Sequence, residues 1–159
     1  MSSHTAAVEW MRHGSPFTDN RYSRAHRWTF DGGASVPASS SPHVVRAPLS
    51  DPANVDPEEA YIAALSSCHM LWFLGLAASA GYVVDSYRDH CEGHMTRAAD
   101  GGEWMSSLEL RPEVVFSGSK MPDAAAVEQL HHDAHEKCFL ARSVRTDIRI
   151  QGNWSHQPT

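Results

Sequence analysis

The chain has 159 residues, 42% hydrophobic and 20% charged, which is enough for a solid core and unlike a disordered chain. Thirteen basic against nineteen acidic side chains leave a net charge of −6, so there is no global basic field for a nucleic acid backbone or an anionic membrane. Eleven histidines would turn that sum positive in acid, where solubility and assembly should change.

Residues 1–20 read as a flexible leader, with Trp10 and Met11 as local docking points. Residues 21–150 read as one domain and residues 151–159 as a polar tail. Within the domain, RYSRAHRWTF carries strand-type residues at Tyr22, Trp28 and Phe30. Asp31-Gly32-Gly33 signals a tight turn into a return strand at Ala34–Val36, and HVVRAPL a short extended piece. Asp56-Pro57-Glu58-Glu59 opens a long helix: the aspartate caps, the proline takes the first turn, and the glutamates suit its positive end. Gly81 stops it. Two strands follow, YVVDSYRDHCEGHM and WMSSLELRPEVVF, joined by a turn at 98–102, with Pro112 marking an edge or bend. Asp123 to about Leu140 predicts a second helix, with Val127, His131, Ala134 and Cys138 on one stripe. Val144–Ile150 closes as a strand. The fold class is α+β with a mainly antiparallel sheet.

The run from Ala60 to Val84 is apolar and long enough to cross a bilayer. Ser66, Ser67, Cys68 and His69 at its centre, and acidic flanks without a basic cluster, favour a soluble helix buried on nearly every side. Such a helix needs a covering sheet and a second chain.

Three cysteines, an odd number, do not make a disulfide scaffold and point to a reducing cytoplasm. Cys68 lies mid-helix beside Ser67 and His69, and Cys138 near the end of the second helix. Each is either a small buried hydrophobe or half of a reactive pair that a sheet-covered core brings together. Cys91, in a polar strand region, reads as incidental. His131, His135 and Cys138 share a helix face at spacings a zinc site would use, although no C-x-x-C supplies further ligands. Glu58 stands ten residues before Cys68, roughly 15 Å along a continuous helix, so it cannot touch that cysteine within one chain.

DPEEAYIAALSSCHMLWFLGLAASAGYVVDSY resembles the central-helix motif of the OsmC/Ohr family (osmotically inducible protein C and organic hydroperoxide resistance protein). AHEKCFLARSV resembles that family's second cysteine motif, and YSRAHRWTFDGG the first hairpin of its OsmC-like branch. The resemblance runs from Tyr22 to Ile150. It implies the OsmC-like fold, an intertwined homodimer with antiparallel sheet wrapped around long central helices.

It also implies a thiol-dependent peroxidase that reduces organic hydroperoxides. Cys68 would be the peroxidatic thiol and Cys138 the resolving one, joined as an intramolecular disulfide that an external dithiol, such as a lipoyl group, resets. An arginine held by Glu58 would favour the thiolate. Arg24 is the preferred candidate, Arg46 the rival, and Arg21 and Arg27 weaker; His69 is another possible helper, although adjacent helix residues point about 100° apart. Trp72, Met70, Phe139 and strand aromatics would line an apolar substrate pocket. No bound cofactor, metal, nucleic acid or membrane is expected. The alternative is a non-catalytic redox-sensing or small-molecule-binding protein on the same fold.

Overall fold

The computed structural model describes residues 2–157. The chain divides into two compact units, Met1–Ala60 and Tyr61–Thr159, where the sequence suggests one domain.

In the first unit, β1 (Ala6–Glu9), β2 (His26–Phe30) and β3 (Ser35–Ala38) form an antiparallel sheet in that order. The tight turn at Asp31-Gly32-Gly33 joins β2 to β3 as expected. The leader is a correction: Ala6–Glu9 pairs with β2 from Ala6↔Phe30 to Glu9↔Arg27. Its four residues carry no alternation to read, but they satisfy the backbone groups of an otherwise open strand edge. The stretch expected to be extended before the long helix instead turns back, with the Val44 and Val45 amides donating to the Ser41 carbonyl. Pro42 and Pro48 break any strand there.

Helix α1 (Pro57–Ser79) starts at the end of this unit. Asp56 and Glu59 form a reciprocal capping box: the Glu59 amide donates to Asp56 Oδ1 at 2.8 Å and the Asp56 amide to Glu59 Oε2 at 3.2 Å. Gly81, at φ +78°, ends the helix in the left-handed conformation that glycine adopts without strain.

The second unit holds the rest of α1, two three-stranded sheets and helix α2 (Ala124–Lys137). One sheet orders β4 (Val83–Asp89), β7 (Pro112–Ser117) and β9 (Asn153–Gln157); the other orders β5 (Glu92–Arg97), β6 (Glu103–Leu110) and β8 (Asp147–Ile150). Each long strand expected from sequence is therefore two strands in different sheets. The steps fall at His90-Cys91 and at Arg111. Asp89 ties them, accepting the Arg111 amide at 2.6 Å on Oδ1 and the Ser66 hydroxyl on Oδ2. Pairings β4–β7 and β5–β6 are antiparallel, while β6–β8 and β7–β9 are parallel. The polar tail is also a correction. It supplies β9, anchored by Trp154 against Phe116 at a centroid distance of 6.1 Å.

Beneath the β4–β7–β9 sheet, Phe73, Ala77, Val114, Phe116, Val127, Leu130 and Ala134 form the main core; Leu65, Leu108 and Leu110 form a second. Gly93 allows β5 to lie close to α1, since a Cβ there would stand 2.7 Å from Ile62 Cγ2. Helix α1 is long and apolar enough to cross a membrane, but in this unit its Leu65, Ser66, His69, Phe73 and Ala77 stripe is buried against protein. Burial on nearly every side is not found within one chain. Leu71 is 63% exposed, and Ala63, Ala64, Ser67, Gly75 and Ala78 are open, because the covering strands reach one face only.

The two helices are linked by a buried histidine pair. His69 Nε2 and His131 Nδ1 are 3.1 Å apart, the rings stack at 7°, and Phe73 lies against His131 at a centroid distance of 4.4 Å. Burial, with His131 and His135 nearby, pushes His69 down to about 3; burial pushes His131 down to about 4.

Two predictions follow the packing. Phe73→Ala should remove about 3–5 kcal/mol of stability in urea unfolding at pH 7, with a loss below about 1 kcal/mol refuting this core. Because the unfolded chain binds protons at both histidines near pH 6.5 and the folded chain does not, stability should fall as pH drops from about 6.5 toward 4. The slope is at most about 2.7 kcal/mol per pH unit, for two protons. Unfolding midpoints that stay level from pH 7 to 4.5 would contradict the neutral pair.

Candidate active site

Cys68 sits on α1 one residue before His69, on a half-buried flank of the helix rather than on its core stripe. Cys138 follows α2. The sequence places it inside that helix, but α2 ends at Lys137 and Cys138 is its extended C-cap residue, donating its amide to the Ala134 and His135 carbonyls. A short 3-10 turn at Ala141–Ser143 then reverses the chain. That reversal points the buried Cys138 side chain back at α1.

The two sulfurs are 2.6 Å apart, and both thiols are free. A disulfide bond is about 2.05 Å long, so little motion separates this pair from a covalent bond. Cys138 donates its S–H toward Cys68 and accepts the Ala141 amide at 3.3 Å. Burial, and the proton it shares with Cys68, push the Cys138 thiol up to about 11. Trp72, one turn after Cys68, meets Phe139 edge to face at 5.5 Å, and Lys137 lies over the Trp72 ring at 5.9 Å. Met70 is half-buried on the same helix, and Phe139 is largely exposed.

The other two candidates belong to the first unit. Arg24 precedes β2 instead of lying in it. Its guanidinium donates to Asn20 Oδ1 at 2.7 Å, to the Asn20 carbonyl at 3.0 Å and to the Tyr22 carbonyl, and it stacks 3.8 Å from the Tyr22 ring centroid. Glu58 and Arg24 line one cavity of about 470 Å³. The expected ion pair between them is not formed: Arg24 spends its donors on Asn20 and Tyr22, and Glu58 Oε2 is buried without a partner. Arg46, Arg21 and Arg27 are exposed and outside this lining; Arg27 reaches Ser35 at 2.8 Å.

His69 does not serve Cys68 as a cation. It turns into the core toward His131 and is held neutral by burial. The metal alternative is also weakened, since His131 faces His69, Cys138 faces Cys68, and among the described residues no three or more His, Cys, Asp or Glu side chains are grouped as a metal site requires. Cys91 packs beside the Leu65 cluster, and burial and Asp89 push its thiol up, which suits an inert role. The sequence reading missed the histidine pair and the Trp10–Phe17–Tyr22 cluster around Arg24. The first was visible as Leu65, His69, Phe73 and Ala77 at four-residue spacing; the second joins side chains through loops and carries no periodic signal.

Comparison with known proteins places the fold. The family model described as OsmC-like protein matches residues 50–152. An OsmC-like protein of unknown function from Vibrio cholerae is 52% identical, with 96% of this chain and 100% of that chain covered and a TM-score of 0.93. Organic hydroperoxide resistance proteins from Elizabethkingia anophelis (16% identity, 99% and 98% covered, TM-score 0.65) and Bacillus subtilis (14%, 97% and 98%, 0.60) share the fold. No curated protein matches the chain. With its central helix, paired cysteines and sheets accounted for, the chain belongs to the OsmC-like protein family.

Proposed function

We propose that the protein is a thiol-dependent peroxidase that reduces organic hydroperoxides to alcohols. The observation that carries this reading is the 2.6 Å approach of Cys68 and Cys138 across seventy residues of sequence. Two thiols that meet in this way are built to exchange oxidation states.

In the proposed cycle, the Cys68 thiolate attacks the terminal peroxide oxygen. The O–O bond breaks, the sulfur is oxidised to a sulfenic acid, and the alkoxide takes a proton and leaves as the alcohol. The Cys138 sulfur then attacks the Cys68 sulfenic acid, its proton leaves with the hydroxyl as water, and a Cys68–Cys138 disulfide forms. An external dithiol, with a lipoyl group as the leading class, exchanges into that disulfide and carries away two electrons as its own cyclic disulfide. The sum is hydroperoxide plus dithiol giving alcohol, water and disulfide. A reducing cytoplasm suits a resting state with both thiols free.

A cation near Cys68 favours the attacking thiolate. Glu58 precedes Cys68 by ten residues on one helix, roughly 15 Å along its axis. We therefore assign Arg24 and Glu58 of one copy to serve Cys68 of a second, in a homodimer that also covers the open face of α1 around Leu71. The unpaired Glu58 oxygen supports this assignment, since it is an acceptor waiting for a donor.

Intact mass after one equivalent of cumene hydroperoxide should show the wild type lighter by two hydrogens. Cys68→Ser should abolish hydroperoxide consumption, and Cys138→Ser should react once and stall as an oxidised Cys68. Both cysteines remaining reduced under excess organic hydroperoxide would refute the reading; one reaction without dithiol-driven turnover would make the protein a redox sensor.

A further inference from the structure

Helices α1 and α2 meet through an apolar core, yet one polar contact crosses it. His69 is 2% exposed and His131 8%, and among the described residues theirs is the one side-chain hydrogen bond between the two helices. Phe73, Ala77, Val127, Leu130 and Ala134 already pack the same core without polar side-chain atoms. An apolar residue at either position would bury its surface and leave nothing to satisfy, so adhesion of the helices does not account for the pair. What the pair adds is direction. Apolar contact tolerates sliding and rolling, whereas a hydrogen bond weakens steeply once it bends.

The proton in this bond has a preferred owner. Burial holds both rings neutral, so each carries one N–H. His69 Nδ1 is buried without a partner. Were His131 the donor, the His69 proton would sit on that Nδ1 as an orphaned buried N–H, which folded proteins tolerate less than an unmatched acceptor. His69 Nε2–H therefore donates to His131 Nδ1, and His131 keeps its own proton on Nε2. That nitrogen lies beside Gly152, where a Cβ would stand 3.3 Å from it, at a cleft of about 460 Å³ that Gln151 and Trp154 also line. His131 is thus wedged between α1 and the approach to β9, and the bond to His69 has a fixed base.

The consequence falls on the sulfurs. His69 directly follows Cys68, and His131 stands seven residues, about two helical turns, before Cys138. A disulfide forms only over a narrow range of separations, narrower than helix packing alone enforces. We propose that His69 and His131 are positioning residues: their hydrogen bond fixes the register of α1 on α2 and so sets the effective concentration of Cys68 at Cys138. This role rests on the proposed function only in the pairing of the two thiols as a disulfide, and it involves no hydroperoxide.

Glutathione buffers measure that concentration at equilibrium, in a Cys91→Ser background. One glutathione thiolate attacks the Cys68–Cys138 disulfide, forming a mixed disulfide and releasing one cysteine thiolate; a second attacks the mixed disulfide, releasing the other cysteine and glutathione disulfide. The oxidised fraction is read by thiol alkylation and intact mass. His131→Leu should lower the effective concentration about tenfold, which the loss of one hydrogen bond of ordinary net strength allows. His131→Asn, whose Oδ1 takes the place of Nδ1 as acceptor, should restore most of it. Urea midpoints of the same two variants should rank in the opposite order, since leucine suits an apolar core better than asparagine, so a purely structural role would reverse the result. The wild type supplies a reading that no substitution can disturb: nitrogen-15 NMR of the reduced protein should show His69 protonated at Nε2, bare at Nδ1, and slow to exchange. An effective concentration unchanged in folded His131→Leu, a fall in His131→Asn as deep as in His131→Leu, or a freely exchanging ring proton on His69 would overturn the proposal. Glutathione exchange that follows this pattern in a protein consuming no hydroperoxide would refute the peroxidase reading alone.

Discussion

The proposed chemistry depends on one geometric constraint: two sulfurs seventy residues apart must meet at the edge of a core that orients their helices. A helix can slide or roll against its neighbour, and either motion by a fraction of a turn would separate the thiols. The buried His69–His131 contact restricts both, because His69 is the residue after Cys68 and His131 lies seven residues, about 10 Å of helix, before Cys138. Phe73 packed against His131 adds an apolar contact one turn further along α1. Buried polar pairs are costly to form and more costly to leave unmatched, so this one favours a single register of α1 on α2 over neighbouring ones. The C-cap turn at Cys138 completes the alignment by aiming the second sulfur back toward the first.

Much of this was legible in the chain itself. The capping signals of Asp56-Pro57-Glu58-Glu59, the stop at Gly81 and the helix start at Asp123 are local chemistry, and the structure has these helix boundaries there, Asp123 accepting the Ala126 amide as the cap of α2. The cysteines stood out because each follows an apolar helical stripe beside polar residues, while their pairing came from the resemblance and the place of Cys138 just past α2 was fixed by its cap. What stayed hidden was decided by tertiary contacts. Nothing local in YVVDSYRDHCEGHM says that it must divide between two sheets; the step is fixed by Asp89 receiving groups from Ser66 and Arg111 on other elements. The tail needed one large apolar residue, Trp154, to become a strand, and the leader needed an open edge on β2. Arg24 was picked out by resemblance, while its binding to Asn20 and its seat on Tyr22 depend on loop geometry that has no sequence period.

Helix α1 joins these observations to the assembly. Its apolar residues are spread around the whole circumference, yet one chain buries only the Leu65–Ala77 stripe. An amphipathic helix would have ended its exposed side in charge; this one carries Leu71 and a run of small residues there, a surface suited to close approach by another helix. Under the dimer proposal, the same contact that buries this face brings an arginine and a carboxylate to a cysteine they cannot reach along their own helix. Folding and catalysis would then share one interface.

The division of labour proposed for the sulfurs follows from their surroundings. A nucleophile must be reachable and must lose its proton; a resolving thiol must wait, protonated and sheltered, until its partner is oxidised. Cys138 is buried and its thiol is pushed up to about 11, so under the proposed cycle it would not compete for peroxide at neutral pH. Cys68 is half-buried and already receives the Cys138 hydrogen bond. In the proposed cycle, oxidation of Cys68 reverses the polarity of the pair. Its sulfur becomes the electrophile, and Cys138, a short step away, becomes a nucleophile whose proton is lost to the departing hydroxyl as the bond forms. Cys91 stays outside this exchange because its neighbours are the Leu65 cluster and Asp89, which disfavour a thiolate and offer no second sulfur. Under that proposal, placement in the fold gives three thiols of identical intrinsic chemistry three different fates.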